Sequence, residues 1–352
     1  MQTVRSVWHD DDHAEVVTTI AITGGAGFAG HHLVEHVLKK TDWRVLVLDR
    51  LTYSSSGFDR LRDIGAYDDR RVERFTIDLT QPLGAGLRQE LGAPDFIVHM
   101  AAETHVDNSI TDPWPFVQAN VVGTFRMLEW ARSLPNLRRF LYFSTDEVFG
   151  PAAEGVLHKE WDAYNSTNPY SATKAGGEEL VLAWANTYKV PAIVSHTMNV
   201  LGERQHPEKF VPMVVRRVLA DEEILIHADP GLTRSGSRFY IHARNVASAV
   251  LFLLGEGKSQ VREKYNVVGE REVSNLDMVL RIGEILARTP RYRLVDFHSS
   301  RPGHDLRYAL DGARMRSLGW REPLSFEASL ERTVEWMVDP AHRKWLELGA
   351  SI

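Results

Sequence analysis

The sequence predicts an α/β fold, with a doubly wound parallel (Rossmann) sheet and a smaller C-terminal α/β substrate lobe. The first observation is a glycine-rich turn near residue 24, which joins an apolar, β-branched run to a helical pattern. The second is that short apolar runs alternate with segments of helical spacing up to about residue 190. Such alternation with short connections is typical of parallel sheets with right-handed crossovers.

The glycine-rich turn follows the first expected strand and opens the first expected helix. Gly24, Gly27 and Gly30 permit a tight turn, close approach of the backbone to a pyrophosphate, and close helix–strand packing. The helix N-terminus offers free N–H groups and a positive dipole end to phosphates. The next apolar run, residues 45–48, ends in Asp49, where an acid would hold the ribose hydroxyls of an adenosine. Together these features predict a dinucleotide site.

Later segments continue the alternation. Residues 74–79, 95–100 and 139–144 have the pattern of strands, and residues 116–134 and 170–188 have the spacing and length of helices. In doubly wound sheets, ligands bind beyond the carboxyl ends of the strands. Polar motifs follow several of these ends, namely Asp49, Asp78, Ala101-Ala102-Glu103 and Ser144-Thr145-Asp146-Glu147.

The pattern divides the chain into three parts. Residues 1–16 are expected to form a flexible N-terminal extension, and residues 17–190 the dinucleotide-binding domain. Residues 191–352 are less regular, with more Pro, Arg and loops, and are expected to form mainly the substrate lobe. Because no linker rich in Gly, Ser or Pro separates the lobes, segments of the last part are free to return to the first domain.

Composition narrows the class of protein. The 352 residues are 43% hydrophobic and 25% charged, with a net charge of −6, which gives no reason to expect nucleic acid or an anionic membrane as a partner. The absence of cysteine excludes disulfides, thiolate metal sites and cysteine catalysis. With no apolar run of membrane-spanning length and no signal-type segment, a cytoplasmic enzyme is expected. The acidic, histidine-bearing stretch 9–13 is interpreted as part of the extension, and no metal site is predicted.

Two neighbouring motifs carry the candidate chemistry. Tyr170 and Lys174 are four positions apart on one expected helix, so the ammonium can lower the pKa of the phenol and make it a base. Asp146 and Glu147, which follow Thr145 at a strand end, offer an acid and a base of the kind that a dehydration needs. An isolated Asp-Glu pair is more often a helix-capping pair, but its place between the Ser-Thr and the Tyr-x-x-x-Lys favours a catalytic role.

These motifs resemble those of the extended short-chain dehydrogenases/reductases, and within them the nucleotide-sugar 4,6-dehydratases. The resemblance runs from about Thr18 to Trp336. Its most specific element is Thr145-Asp146-Glu147, since epimerases and decarboxylases of the same fold lack the Asp-Glu pair. Further similar segments are Gly24-x-x-Gly27-x-x-Gly30, residues 49–53, residues 99–107, residues 120–124, residues 301–308 and residues 318–320.

The resemblance implies a mechanism. Tyr170, with Lys174, takes the C4 hydroxyl proton of an NDP-hexose while hydride passes to NAD, and Thr145 hydrogen-bonds that oxygen. The C4 ketone acidifies C5, so that Glu147 removes the C5 proton while Asp146 protonates the departing C6 hydroxyl. Hydride then returns to C6. The product is an NDP-4-keto-6-deoxyhexose, and the cofactor is recycled.

The resemblance also implies binding residues. For the cofactor, NAD is favoured over NADP because Asp49 would repel a 2′-phosphate, despite the adjacent Arg50. Expected cofactor-binding residues are Gly24, Gly27, Phe28, Ala29, Gly30, Asp49, Arg50, Leu51, Thr52, Asp78, Leu79, Ala101, Ala102, Tyr170 and Lys174. Expected substrate-binding residues are Thr104, Thr145, Asn199, Glu208, Lys209, Arg238, Asn266 and Arg301.

The substrate lobe departs from the pattern of the dTDP-glucose enzymes. His196 stands where the family usually carries Arg, and either contacts substrate or fills space. Leu225 and His227 stand where Pro and Tyr are usual near the base and ribose, and the loop from Asp229 to Arg238 is longer. The base, of dTDP, UDP or another type, and the C2 substituent of the hexose therefore stay open.

Two other functions are compatible with parts of the pattern. A 4-epimerase or uronate decarboxylase of this fold needs the Tyr and Lys but no Asp-Glu pair, and a non-catalytic cofactor-binding regulator would be expected to have lost Tyr170 or Lys174. A homodimer is also expected, because residues 116–134 and 170–188 are apolar on more of their circumference than one sheet face requires. The apolar positions concerned are Phe125, Leu128, Trp130, Leu180, Leu182 and Trp184.

Overall fold

A seven-stranded parallel sheet forms the centre of the molecule. The computed structural model describes residues 17–52, 54–296 and 306–347. The strands of the central sheet follow the order β10-β6-β5-β4-β1-β2-β3, and each neighbouring pair is parallel. This order places the start of the chain in the middle of the sheet and reverses direction beside β1, as in a doubly wound fold. The predicted fold class is confirmed.

The strands of the described residues are β1 Thr19–Thr23, β2 Arg44–Asp49, β3 Val72–Thr76, β4 Phe96–His99, β5 Arg139–Thr145, β6 Ala192–Thr197, β7 Asn199–Leu201, β8 Ile224–Ala228, β9 Ser237–His242, β10 Lys264–Val267, β11 Glu272–Ser274 and β12 Tyr292–Asp296. The helices of the same residues are α1 Phe28–Lys40, α2 Asp59–Asp63, α3 Ala85–Leu91, α4 Val106–Thr111, α5 Trp114–Phe116, α6 Gly123–Arg132, α7 Pro169–Thr187, α8 Phe210–Leu219, α9 Ala243–Leu254, α10 Asn275–Ile285, α11 Ala313–Ser317, α12 Phe326–Val338 and α13 Lys344–Glu347. A π-helical segment, Val117–Val122, joins α5 to α6, and short 3₁₀ turns cover Asp146–Phe149 and Pro340–His342.

The central strands are buried on both faces, which explains their near-continuous apolar sequences. The third strand, β3, spans Val72–Thr76, and so begins and ends earlier than the strand predicted at residues 74–79. β3 lies at the edge of the sheet and, after the buried Val72, alternates half-buried and exposed residues, so its charged residues Glu73 and Arg74 are tolerated there. An edge strand with this composition lacks the continuous apolar run on which the prediction relied.

Helices cover both faces of the sheet. α1 and α9 pack on one face around Ile20, Leu33 and Val250. On the other face, α6 and α7 pack around Leu128 and Val181. The two predicted helices, 116–134 and 170–188, are confirmed, with the first continuing through the π-helical segment.

The remaining elements form a second, smaller core. β7, β9 and β11 make a three-stranded sheet, and β8 pairs with β12. α8, α10 and α12 pack against these strands around Val214, Met278 and Val334. β6 and β10, which both follow residue 190, belong to the central sheet. No helix among the described residues is long and apolar enough to cross a membrane. The cytoplasmic location stays a prediction.

Candidate active site

A cleft of about 400 Å³ lies beyond the carboxyl ends of β1, β2, β4 and β5. Most of the residues expected at the cofactor and substrate sites line it. Those are Gly24, Gly27, Phe28, Ala29, Gly30, Asp49, Arg50, Thr52, Asp78, Leu79, Ala101, Ala102, Thr104, Thr145, Asp146, Glu147, Tyr170, Lys174, Asn199, Glu208 and Lys209. Residues that are distant in sequence therefore meet at one edge of the sheet, as the strand order requires.

The glycine turn needs glycine for steric reasons. Gly24 has a φ of +69°, and a Cβ built there would lie 2.9 Å from the backbone nitrogen of Ala101. A Cβ at Gly30 would collide with the carbonyl of Gly24. At the start of α1, no side chain caps the helix at Gly27, so its first N–H groups face the cleft without a side-chain acceptor.

Asp49 is held in one orientation at the end of β2. Its Oδ2 accepts a hydrogen bond from the backbone N–H of Ala26 over 3.0 Å, and its Oδ1 accepts one from Leu51 over 2.8 Å. Arg50 is paired with acids: its Nη2 donates to Glu103 Oε1 over 2.7 Å, and its Nη1 lies 4.0 Å from Asp78 Oδ1. The carboxylate of Asp49 thus faces the cleft, while the guanidinium beside it is already engaged.

The run Thr145-Asp146-Glu147 turns directly out of β5. Thr145 Oγ1 donates to Asp146 Oδ1 over 3.0 Å and accepts from the backbone N–H of Glu147 over 3.3 Å. Thr145, rather than either acid, therefore caps the 3₁₀ turn that follows. Because the cap is supplied by Thr145, capping does not account for the two acids, and both line the cleft.

The two acids differ in environment. Asp146 is 4% exposed, and burial raises the pKa of its carboxyl to about 6, although the charge of Arg238 and the hydrogen bond from Thr145 act in the opposite direction. Glu147 is half-buried, and its Oε2 accepts a hydrogen bond from Asn168 Nδ2 over 3.2 Å. A carboxyl whose pKa is raised to about 6 and a second, less buried carboxylate therefore stand side by side.

Tyr170 and Lys174 lie in the first two turns of α7, which begins with Pro169 after a capping box at Asn168. Both side chains are buried. Lys174 Nζ donates to the carbonyl oxygen of Phe143 over 2.8 Å, and burial lowers the pKa of Lys174 to about 7, against the opposing charge of Glu178.

The expectation that Lys174 lowers the pKa of Tyr170 is wrong for the chain as the structure shows it. Burial raises the pKa of the Tyr170 phenol well above its ordinary value, and the charge of Glu147 adds to the increase. The physical reason is that the ammonium of Lys174 points at the Phe143 carbonyl and lies 4.2 Å from the centre of the Tyr142 ring. A hydrogen bond between Thr145 and Tyr170 acts against this increase in the pKa of Tyr170.

The expected substrate-binding residues that the structure describes lie either at the wall of the cleft or behind it. Thr104 and Asn199 are exposed at the wall of the cleft, and Glu208 lies between three basic side chains. Its carboxylate is 3.6 Å from Lys209 Nζ, 3.7 Å from His206 Nδ1 and 4.0 Å from His105 Nε2. Burial lowers the pKa of Lys209, whereas Glu208 and Glu147 oppose that change.

Arg238 and Asn266 occupy positions behind the cleft wall. Arg238 Nη1 donates to the carbonyls of Ser237 and Leu306 over 2.7 and 2.6 Å, and its guanidinium lies 4.5 Å from the centre of the Tyr308 ring. Asn266 is fully buried in β10, and its side chain bonds to protein groups rather than facing the cleft. Leu51, with a φ of +59°, contributes its backbone to the Asp49 turn. Arg301 lies outside the described residues.

The chain is similar in sequence to proteins of known function. The model of the family described as "NAD dependent epimerase/dehydratase family" matches residues 20–268. The chain belongs to this family. It is 36% identical to a dTDP-glucose 4,6-dehydratase of Salmonella typhimurium over 93% of this chain and 94% of the relative. A second dTDP-glucose 4,6-dehydratase, from Neisseria gonorrhoeae, is 37% identical over 92% and 97%.

Solved structures of a dehydratase and an epimerase are similar to the structure of this chain. A dTDP-glucose 4,6-dehydratase of Streptomyces venezuelae, crystallised with NAD, has a TM-score of 0.82 and 33% identity over 93% of this chain and 98% of that one. A UDP-glucose 4-epimerase of Thermus thermophilus, also solved with NAD, has a TM-score of 0.79 and 26% identity over 91% and 98%. The epimerase/dehydratase family thus includes relatives of both reaction types.

Sequence reasoning missed one group in this member of the family. Glu178 follows Lys174 by one turn of α7 and is fully buried under the cleft, where it contacts Ser144, Tyr164 and His196. The sequence contained one signal, the spacing of Glu178 from Lys174 on the same helix face. His196, for which contact with substrate and space filling were both open, is fully buried and bonds to protein side chains. Among the described residues, no cluster of three or more His, Cys, Asp or Glu is placed to hold a metal ion.

Proposed function

We propose that this chain is a nucleotide-sugar 4,6-dehydratase, a hydro-lyase that converts an NDP-hexose of the dTDP- or UDP-glucose type to the NDP-4-keto-6-deoxyhexose. The observation that carries the proposal is that Asp146 and Glu147 line the same cleft as Tyr170 and Lys174. Elimination of water requires an acid for the leaving hydroxyl and a base for the carbon acid, in addition to the groups that oxidise C4. The curated dTDP-glucose 4,6-dehydratases at 36% and 37% identity support the same reaction.

The cofactor assigned to the cleft is NAD. The residues fit it, because the start of α1 lines the cleft without a side-chain cap and so offers its N–H groups to a pyrophosphate, and the oriented carboxylate of Asp49 suits two ribose hydroxyls. Asp78 and Leu79 border the expected adenine position, and Ala101 and Ala102 form the wall opposite Gly24. When bound, NAD supplies a hydride acceptor for C4, the hydride for C6, and the positive charge of its oxidised ring.

The first step assigned to protein groups is removal of the C4 hydroxyl proton by Tyr170. Because burial and the charge of Glu147 raise the pKa of Tyr170, the phenol needs positive charge nearby to accept this role. Lys174, whose pKa lies at about 7, is the nearest candidate on the same helix. We assign to Thr145, which hydrogen-bonds with Asp146 and with the phenol of Tyr170, a hydrogen bond to the C4 oxygen.

The second step is the elimination across C5 and C6. Once C4 is a ketone, the C5 hydrogen is acidic, and Glu147 removes it as the C6–oxygen bond breaks. Asp146 delivers its proton to the departing C6 hydroxyl, so that water leaves. Burial prepares Asp146 for this task by raising the pKa of its carboxyl to about 6. Its Oδ2 has no hydrogen-bond partner within the described part of the chain, whereas Oδ1 is bonded to Thr145.

The nucleotide and sugar are assigned to the wall made by the second lobe. Thr104, Asn199, Glu208 and Lys209 line that part of the cleft. Arg238 acts on Asp146 through its charge, and its Nη1 donates to two backbone carbonyls. We keep Arg238 and Arg301 as proposed diphosphate contacts. Asn266 belongs to the support beneath the site rather than to its wall, because its amide is consumed by protein partners.

The test is to incubate purified protein with a panel of NDP-hexoses and to examine the products by mass spectrometry and proton NMR. The proposal requires a product that is lighter by one water and carries a new C6 methyl doublet. A product of unchanged mass with an inverted C4 would instead identify a 4-epimerase, and loss of carbon dioxide from a uronate would identify a decarboxylase. An unreactive protein that still binds NAD and NDP-sugar would indicate a regulator.

A homodimer through α6 and α7 completes the proposal. Phe125, Leu180, Leu182 and Trp184 are half-buried, and the rings of Phe125 and Trp184 contact each other edge-to-face at 5.8 Å. The expectation that Leu128 and Trp130 also face a partner is wrong, because both are buried in the chain's own core. The surface offered to a partner is therefore narrower than the sequence suggested.

A further inference from the structure

His196 uses both nitrogens of its ring in hydrogen bonds to side chains. Nδ1 lies 2.9 Å from Asn266 Oδ1, and Nε2 lies 3.0 Å from Glu178 Oε2. The orientation of the Asn266 amide is set by its Nδ2, which donates to the carbonyls of His158 and Asp311 over 3.0 and 3.2 Å. Asn266 Oδ1 is therefore an acceptor, and His196 Nδ1 must carry a proton.

The hydrogen bond to the carboxylate of Glu178 requires that Nε2 of His196 also carries a proton. Glu178 is fully buried and accepts hydrogen bonds from the hydroxyls of Ser144 and Tyr164, and Lys264 Nζ lies 3.8 Å away. Although burial raises the pKa of Glu178, the hydrogen bonds from Ser144 and Tyr164 are among the causes that hold it below its ordinary value. An ionised carboxylate only accepts, so His196 Nε2 donates to it.

The strand register aligns this group with the cleft. Ser144 on β5 is paired with His196 on β6, and His196 is paired with Asn266 on β10. The three residues thus lie side by side across the sheet, and Glu178 of α7 accepts hydrogen bonds from Ser144 and His196. The ring of Phe149 packs edge-on against His196 at 4.8 Å. Ser144 lines the cleft and directly precedes Thr145 and Asp146.

We propose that His196 is a buried imidazolium whose ion pair with Glu178 positions Ser144 and Lys174 beneath the active site. Ser144 is held through its hydrogen bond to Glu178, and Lys174 through the charge of Glu178 one turn along α7. The pair is a positioning device, because neither residue lines the cleft. The part of the proposal that concerns turnover rests on the proposed dehydratase function.

The pair acts on the catalytic groups through charge as well as geometry. His196 is one of the groups that hold down the pKa of Asp146, and Glu178 supports the pKa of Lys174 against burial. In the resemblance drawn from the sequence, the family usually carries Arg at position 196, which is a permanent cation. His196 supplies the same sign of charge on a shorter side chain. The titratable groups around the pair include Asp146, Tyr142, His158, Glu160, Tyr164, Lys174 and Lys264.

The charge of His196 is measured directly by NMR on full-length protein labelled with ¹⁵N-histidine. The His196→Gln variant assigns the resonance by its disappearance. The proposal requires that both ring nitrogens of His196 carry protons at pH 7, and that Glu178→Gln converts the ring to a neutral form with one protonated nitrogen. A wild-type His196 with a single ring proton at pH 7 overturns the proposal, whatever the enzyme catalyses.

The positioning role is measured on the holoenzyme with an NDP-hexose that the wild type dehydrates. His196→Gln should lower kcat by on the order of 10- to 100-fold, with KM changed less than about threefold, because the reacting groups are displaced while the substrate contacts remain. Loss of the cation should also raise the pKa of Asp146, so the alkaline limb of the kcat profile should move to higher pH. His196→Arg should recover part of the activity, since it restores the cation.

The matched control is His242→Gln. His242 Nε2 lies 3.3 Å from Glu203 Oε2, and this pair is as buried as the first but does not line the cleft. His242→Gln should lower stability without moving the pH profile. If His196→Gln keeps the wild-type kcat and pH profile, or if both variants change them equally, the positioning role is rejected. If the wild type dehydrates no NDP-hexose, the proposed function fails, and the NMR result still decides the charge of His196.

Discussion

Thr145 and Asp146 are joined by a hydrogen bond of 3.0 Å from Thr145 Oγ1 to Asp146 Oδ1. The bond leaves Oδ2 as the oxygen of Asp146 without a partner in the described part of the chain, and it favours the ionised carboxyl. Burial acts in the opposite direction and is the larger effect, which places the pKa of Asp146 at about 6. A single hydroxyl thus tunes an acid whose proton is needed for water to leave.

Thr145→Val should change the pH dependence of turnover. Without the hydroxyl, the ionised form of Asp146 loses a hydrogen bond, so the pKa of Asp146 should rise. Since Asp146 acts in its protonated form, the rate should fall as pH rises through its pKa. The alkaline limb of the kcat profile should lie above about pH 6 in the wild type and move upward in the variant. An alkaline limb that stays in place would show that another group controls it.

Glu147→Gln should separate oxidation from elimination. The amide cannot remove the C5 proton, so C4 oxidation should proceed while almost no 6-deoxy product is released. The absorbance of the reduced cofactor should accumulate, and turnover should fall on the order of 10²–10⁴-fold. Stopped-flow absorbance together with product analysis measures both effects. Wild-type turnover in this variant would reject the dehydration role of Glu147.

Asp146→Asn should slow departure of the C6 hydroxyl without preventing C5 deprotonation. The asparagine retains the size of the side chain and a partner for Thr145, but it supplies no acidic proton. Exchange of the C5 hydrogen with solvent deuterium should therefore continue while dehydration falls on the order of 10²–10⁴-fold. Proton NMR of the recovered substrate checks this. Loss of exchange together with dehydration would mean that the two carboxyls do not act in separate roles.

Tyr170→Phe should abolish both half-reactions, because without a base at the C4 hydroxyl no ketone forms to acidify C5. Neither reduced cofactor nor C5 exchange should be detected. The matched variant is Tyr164→Phe, which removes a phenol that bonds to Glu178 rather than lining the cleft. It should retain C4 oxidation at a reduced rate. Residual oxidation in Tyr170→Phe comparable to that in Tyr164→Phe would reject Tyr170 as the base.

Light scattering at micromolar concentration tests the dimer. The half-buried side chains of Phe125, Leu182 and Trp184 should lie in an interface, and the mass should be twice the 39.9 kDa of one chain. Trp184→Glu should shift the mass toward the monomer, because a charge at the centre of an apolar contact is costly to bury. A monomeric wild type would contradict the dimer.

Much of this architecture was predictable from local sequence signals. The glycine turn, the acid at the end of β2 and the Tyr-x-x-x-Lys helix each depend on short-range geometry, so spacing alone places them. β3 was displaced because an edge strand tolerates charged residues such as Glu73, which break the apolar pattern. The polar row of Ser144, His196 and Asn266 could not be predicted, because only the register of three strands that are distant in sequence brings these residues together.

The pKa shifts of the catalytic residues also could not be predicted from the sequence. The spacing of Tyr170 and Lys174 suggested that the ammonium faces the phenol. In the structure, the ammonium of Lys174 instead donates a hydrogen bond to the backbone carbonyl of Phe143. Burial then shifts the pKa of Tyr170 upward and that of Lys174 downward, and burial is a property of the packed fold.

The most direct test of the central claim is proton NMR of the product that the wild-type enzyme forms from an NDP-glucose in deuterium oxide. If Asp146 and Glu147 eliminate water across C5 and C6, the product should show a C6 methyl signal and deuterium at C5, because C5 takes a proton from solvent when hydride enters C6. A retained hydroxymethyl group with hydrogen at C5, in a substrate that the enzyme demonstrably turns over, would contradict the account and leave an epimerase in its place.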